Sequence, residues 1–117
     1  MKKIFILEDE KIIGKLYKKR LILEWFSVEL AENLKDSKKI LENFKPEIAF
    51  LDYWLENENW LNLAIFIREN FLETKIIFLS NYEKNQILSK DSEKFFDDFL
   101  LKIDFTPKKL AEYLKKI

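Results

Sequence analysis

The sequence predicts an α/β domain, a doubly wound five-stranded parallel sheet in which strands and helices alternate as (βα)5. Two observations carry that reading. Short apolar runs recur with helix-length segments between them: Ile4-Phe5-Ile6-Leu7, Ile48-Ala49-Phe50-Leu51, Ile76-Ile77-Phe78-Leu79 and Phe99-Leu100-Leu101. They are continuous rather than alternating, as strands buried on both faces of a sheet must be. Each also ends on a polar residue, respectively Glu8-Asp9, Asp52, Ser80 and Lys102. In such sheets the carboxyl ends of the strands gather along one rim, and ligands bind at that rim.

The elements follow in order. The first strand spans about Lys3–Leu7. A helix from about Glu10 to Trp25 has Ile13, Leu16, Tyr17, Arg20 and Leu21 at three- and four-residue steps. Its one glycine, Gly14, should cost about 1 kcal/mol relative to Ala, which a close helix–sheet contact would explain. Ser27–Ala31 reads as a short second strand and about Leu34–Phe44 as the second helix. Pro46 stands just ahead of the third apolar run, where its missing N–H does least harm. A polar loop, Glu56–Asn59, leads to a helix near Trp60–Phe71 with Leu61, Ile65 and Ile67 as expected buried positions. The fourth strand covers about Lys75–Leu79, the weakly periodic segment Glu83–Lys94 the next helix, and about Asp98–Leu101 the fifth strand. Thr106-Pro107 supplies an N-cap with proline at the first helical position, opening a last helix.

Composition narrows the function. With 117 residues the chain reads as one domain, residues 1–117, able to bury a core without metal or disulfide staples. Lys and Arg number 21 and so do Asp and Glu, and a net charge of zero argues against a nucleic-acid-binding domain held by a basic surface. Cysteine and histidine are absent, which excludes disulfides, thiolate or imidazole metal centres and a Ser–His triad. The opening Met1-Lys2-Lys3 and four apolar residues are too short for a signal peptide and meet Glu8-Asp9-Glu10 at once. No segment reaches membrane-spanning length, so a soluble cytoplasmic domain is expected.

The rim would bring Glu8, Asp9 and Asp52 together. Two unit charges roughly 4 Å apart repel by about 4 kcal/mol at an effective dielectric near 20. Such a cluster persists where a cation binds or a proton is taken up, and hard oxygens with open positions suit Mg²⁺. Ser80 can donate to a phosphoryl oxygen, and the Lys102 ammonium offsets charge that the carboxylates would repel. Any one of these residues at a strand end is ordinary, a soluble side chain where the core stops. Their succession, with a helix between each, outlines a phosphoryl-transfer site.

This arrangement resembles the receiver domain of two-component response regulators, including the single-domain chemotaxis type, from Lys3 to the last helix. The motifs are the acidic pair Glu8-Asp9, the aspartate Asp52, the hydroxyl Ser80 and the lysine Lys102. The resemblance implies the flavodoxin-like receiver fold and transfer of a phosphoryl group from a sensor histidine kinase or phosphotransfer protein onto Asp52. It further implies Mg²⁺ held by Asp9, Asp52 and the backbone carbonyl of Trp54, with Glu8 reaching it largely through water. Phe99 falls where the family keeps an aromatic that changes rotamer with phosphorylation, together with Ser80. That would send the signal to a downstream protein or a second copy through the face from Asn81 to Tyr113. Three departures stand out. Ile103 follows the lysine where the family usually has proline, so a trans bond is expected there. Glu56 and Trp60 occupy usual proline and glycine positions, and Asn81 a usually small one.

Other readings use the same groups differently. A pseudo-receiver would be a binding module of this fold that works without phosphorylation. A haloacid-dehalogenase-type phosphatase needs a second Asp two residues after its nucleophile, which Asp9-Glu10-Lys11 does not supply. An inert structural domain leaves the clustered carboxylates unneutralised.

Overall fold

A computed structural model describes residues 1–52, 60–82 and 90–117. Five parallel strands, β1 (Lys3–Leu7), β2 (Ser27–Ala31), β3 (Ile48–Asp52), β4 (Lys75–Ser80) and β5 (Asp98–Leu101), form one sheet in the order β2-β1-β3-β4-β5. Four α-helices accompany them among the described residues: α1 (Lys11–Leu23), α2 (Leu34–Phe44), α3 (Trp60–Asn70) and α4 (Pro107–Lys116). Short 3₁₀ turns precede and follow β5, at Lys90–Phe95 and Lys102–Asp104. The expected helix over Glu83–Lys94 falls mostly outside the described residues, as does the loop Glu56–Asn59.

Each strand divides its side chains between two cores, as a period of two requires. Ile4, Ile6, Phe50, Ile77 and Leu79 face α1 and α4, where Tyr17, Leu21, Leu110 and Leu114 close the layer. Phe5, Leu7, Leu51, Ile76 and Phe78 face α2 and α3, where Leu41, Leu63 and Ile67 do the same. Every residue of β3 is buried, which explains its unbroken apolar run.

Two corrections concern helix faces. Leu16 is exposed, and α1 seats Gly14, Tyr17 and Leu21 instead. In α3 the buried residues are Leu63, Ala64 and Ile67, while Leu61 and Ile65 are only half-buried. Both helices carry apolar residues on more than one stripe, so three- and four-residue spacing does not choose between neighbouring stripes. Gly14 is accounted for: a Cβ there would lie 3.0 and 3.1 Å from the methyl carbons of Leu30. α1 also stops at Leu23, two residues before the expected end, because Trp25 turns the chain with φ 69°. α2 begins on Asn33, whose side chain accepts the Asp36 N–H at 2.8 Å, and α4 on Thr106, which accepts that of Lys109 at 3.2 Å.

The strand order reverses direction at β1. The chain steps from β1 outward to β2, then back across to β3 on its other side. That switch point opens a crevice at the carboxyl ends of β1 and β3. Glu8, Asp9 and Asp52 stand at those ends.

Candidate functional site

β1 hands the chain to Glu8, whose N–H continues the sheet by donating to Ala31 O at 3.0 Å. The Glu8 side chain is buried, and its Oε1 accepts the Glu10 N–H at 3.3 Å. Asp9, next along, is exposed. Asp52 ends β3 and is buried at 3% exposure. Each of the three acids offers a carboxylate oxygen, all within 4.8 Å of one another. The expected cluster is therefore formed.

Lys102 reaches it from β5, past the end of β4. Its Nζ lies 2.8 Å from Glu8 Oε2 and 3.1 Å from Asp52 Oδ1. Glu8, which the resemblance implies would reach Mg²⁺ largely through water, is here paired with the lysine. Burial alone would lower the Lys102 pKa, but the hydrogen bonds and charges of Glu8 and Asp52 outweigh it and hold the ammonium above its ordinary value. One ammonium cannot neutralise three carboxylates. Burial first, and then the Glu8 charge, push the Asp52 carboxyl up to about 8, with Lys102 opposing. A second cation of hard character, bound among these oxygens, would relieve the repulsion, and the donor set fits a divalent ion such as Mg²⁺.

Ser80 ends β4 beside Leu101, fully buried, and its Oγ accepts the Tyr82 N–H at 2.9 Å. Asn81 is exposed beyond it. Trp54, the expected carbonyl ligand, lies outside the described residues. The peptide before Ile103 is trans, there being no cis bonds among the described residues.

Phe99 is half-buried in an aromatic cluster on the α2–α3 side. Its ring centroid is 6.4 Å from that of Phe78 and 6.1 Å from that of Phe96, and Phe78 in turn meets Trp60 edge-on at 4.8 Å. The two acids before it are engaged within the chain. Asp97 pairs with Arg68 at 3.1 Å and accepts the Ile76 N–H at 2.8 Å; Asp98 accepts the Tyr113 hydroxyl. Burial and that bond to Asp98 push the Tyr113 hydroxyl above its usual range.

Tyr17 was legible in the sequence only as one apolar-face position of a helix. In the structure its hydroxyl donates to Phe105 O at 3.1 Å, beside the site. Burial raises its pKa, Lys102 opposes, and Glu8 and Asp52 add to the rise. The available signal was general: a buried tyrosine needs a partner for its hydroxyl.

Comparison with known proteins agrees with this geometry. The family model of the response regulator receiver domain matches residues 4–115. The transcriptional regulatory protein PcoR of Escherichia coli is 27% identical over 107 residues, 91% of this chain and 47% of PcoR. The chain thus spans about half the length of the curated relatives it matches. A response regulator from Thermotoga maritima superposes with a TM-score of 0.84 at 30% identity, covering 99% of this chain and 96% of that one. The response regulator TrrA of the same organism, in complex with Mg²⁺–BeF, gives 0.83 at 29% identity over 99% and 98%. Among the described residues, no helix is long and apolar enough to cross a membrane.

Proposed function

This chain belongs to the response regulator receiver domain family of two-component systems, and from that premise we propose that Asp52 accepts a phosphoryl group from a histidine kinase or phosphotransfer protein. An Asp52 carboxylate oxygen attacks phosphorus, the P–N bond of a donor phosphohistidine breaks, and the leaving imidazole keeps the electron pair and takes a proton. Asp9, Asp52 and Glu8 would hold Mg²⁺, with the Trp54 carbonyl as a further ligand. Bound there, the ion would neutralise charge on the phosphoryl oxygens.

The chain's own residues supply the rest. Lys102, already 3.1 Å from Asp52 Oδ1, would follow the charge onto a phosphoryl oxygen. Ser80 would donate its hydroxyl to another and be drawn toward Asp52. Phe99 then gains room to turn inward, which changes the face from Asn81 to Tyr113 that meets a downstream protein or a second copy. A phenyl ring has no hydroxyl to desolvate, so inward rotation is cheaper for Phe than for Tyr. The observation that carries this reading is the convergence of three carboxylates and one ammonium on the β1–β3 switch point.

The linkage is testable chemically. A small phosphodonor should leave a label that survives acid and is released by base or hydroxylamine, as an acyl phosphate is. Lys102→Ala should keep that label while losing the amide-shift changes that phosphorylation causes between about Asn81 and Tyr113. A hydroxylamine-resistant label, or shifts that spare that face and gather on α1, would reject the proposal.

A further inference from the structure

The chain leaves β5 through Lys102, and the turn it enters aims the ammonium at Glu8 and Asp52. That turn, Lys102–Asp104, gains little from packing: Ile103 is 88% exposed and Asp104 is exposed too. Its closing backbone bond runs from Phe105 N–H to Lys102 O at 3.1 Å. The carbonyl of the same residue, Phe105, is tied from across the molecule. Tyr17 OH donates to Phe105 O at 3.1 Å, joining positions 88 residues apart. Tyr17 sits in the core at 4% exposure, so its hydroxyl has a fixed origin. Gly14, three residues earlier, lets α1 lie close on Leu30 and sets the depth of that origin. Tyr17, Lys102, Ile103 and Phe105 line one open groove between α1 and the turn.

We propose that Tyr17 is a positioning residue for Lys102: its bond to Phe105 O restrains the turn that holds the ammonium over Asp52. The idea rests on the reading above, in which Lys102 meets the phosphoryl group on Asp52. Tyr17 acts through the backbone and needs no contact with that group. A three-residue turn with two exposed side chains takes little of its position from packing. Fixing the carbonyl of Phe105, the residue that closes the turn, from a rigid helix restricts where the turn can sit, which preorganises the cation.

Tyr17→Phe removes the donor and keeps the ring that the core packs around. The variant should melt close to wild type. Hydrogen exchange at the amides of residues 102–105 should quicken by about two- to tenfold, the equivalent of one neutral hydrogen bond. The Lys102 Nζ resonance should move in the unphosphorylated protein. The maximal rate of phosphorylation should fall by a similar factor, with unchanged dependence on Mg²⁺ and phosphodonor concentration. Tyr113→Phe is the comparison, because Tyr113 packs edge-on against the Phe105 ring at 5.8 Å while its hydroxyl goes to Asp98. It should leave Lys102 Nζ in place. An unmoved Lys102 resonance and unchanged exchange in Tyr17→Phe would overturn the proposal, and so would an equal shift in Tyr113→Phe. If wild type takes up no phosphoryl group, the functional reading fails, while the Lys102 resonance still decides the role of Tyr17.

Discussion

Asp52→Asn should make the metal-free protein more stable at alkaline pH and remove most of its response to Mg²⁺. The folded Asp52 carboxyl titrates near 8 against an ordinary value of 3.8, so the native state holds its proton more tightly than the unfolded chain does. A raised carboxyl pKa gives stability that is fully present below about pH 4 and is lost as pH climbs toward 8. The slope from one such group is at most about 1.4 kcal/mol per pH unit. An amide does not titrate, so the difference between Asp52→Asn and wild type isolates this contribution from every other group. In chelator the variant should gain about 2 kcal/mol or more by pH 8 relative to acid conditions, several degrees in Tm. Mg²⁺ should then narrow the gap, because at a hundredfold excess over Kd it adds about 2.7 kcal/mol to a protein with an intact site. Thermal melts at pH 5 and pH 8, with Mg²⁺ and with chelator, give all four values. Parallel pH profiles for the two proteins would show that Asp52 is not held neutral by its surroundings. An equal Mg²⁺ shift in both would place the ion elsewhere.

Phe78→Ala should cost about 3–5 kcal/mol of folding stability, the usual range for truncating a buried aromatic. Phe78 lies on β4, fully buried, with Trp60 at 4.8 Å, Phe96 at 5.0 Å and Phe99 at 6.4 Å. Its neighbours come from α3, the link between the 3₁₀ turn and β5, and β5 itself, so no single element can move in to fill the space. Against a typical total of about 5–15 kcal/mol the loss is a large share. Urea titration should show a midpoint lowered by about a fifth or more with little change in slope. The same cavity would give Phe99 room to turn without phosphorylation, and its ring resonances should broaden. A loss under about 1 kcal/mol would mean that the cluster is not a packed unit.

The strands were legible because burial on both faces leaves so few polar residues inside them. β3 is buried throughout and reads as one apolar run ended by Asp52. Site residues were legible for the same reason, since a carboxylate or lysine that interrupts the core pattern stands at the rim. Which stripe of α1 or α3 faces inward was not legible, because Leu16, Ile65 and their neighbours are as apolar as the residues that won. The end of α1 escaped notice since Trp25 takes φ 69°, a conformation usual for glycine or asparagine. The Glu8–Lys102 pair depends on a lysine reaching from β5 past β4 to β1, a distance no local pattern encodes. The part played by Tyr17 likewise rests on a contact across most of the chain.

The most direct measurement is intact mass after incubation with a small phosphodonor. Wild type in Mg²⁺ should gain the mass of one phosphoryl group; wild type in chelator and Asp52→Asn in Mg²⁺ should gain none. No gain in wild type, or a gain that persists in Asp52→Asn, would contradict the assignment of Asp52 as a Mg²⁺-dependent phosphoryl acceptor.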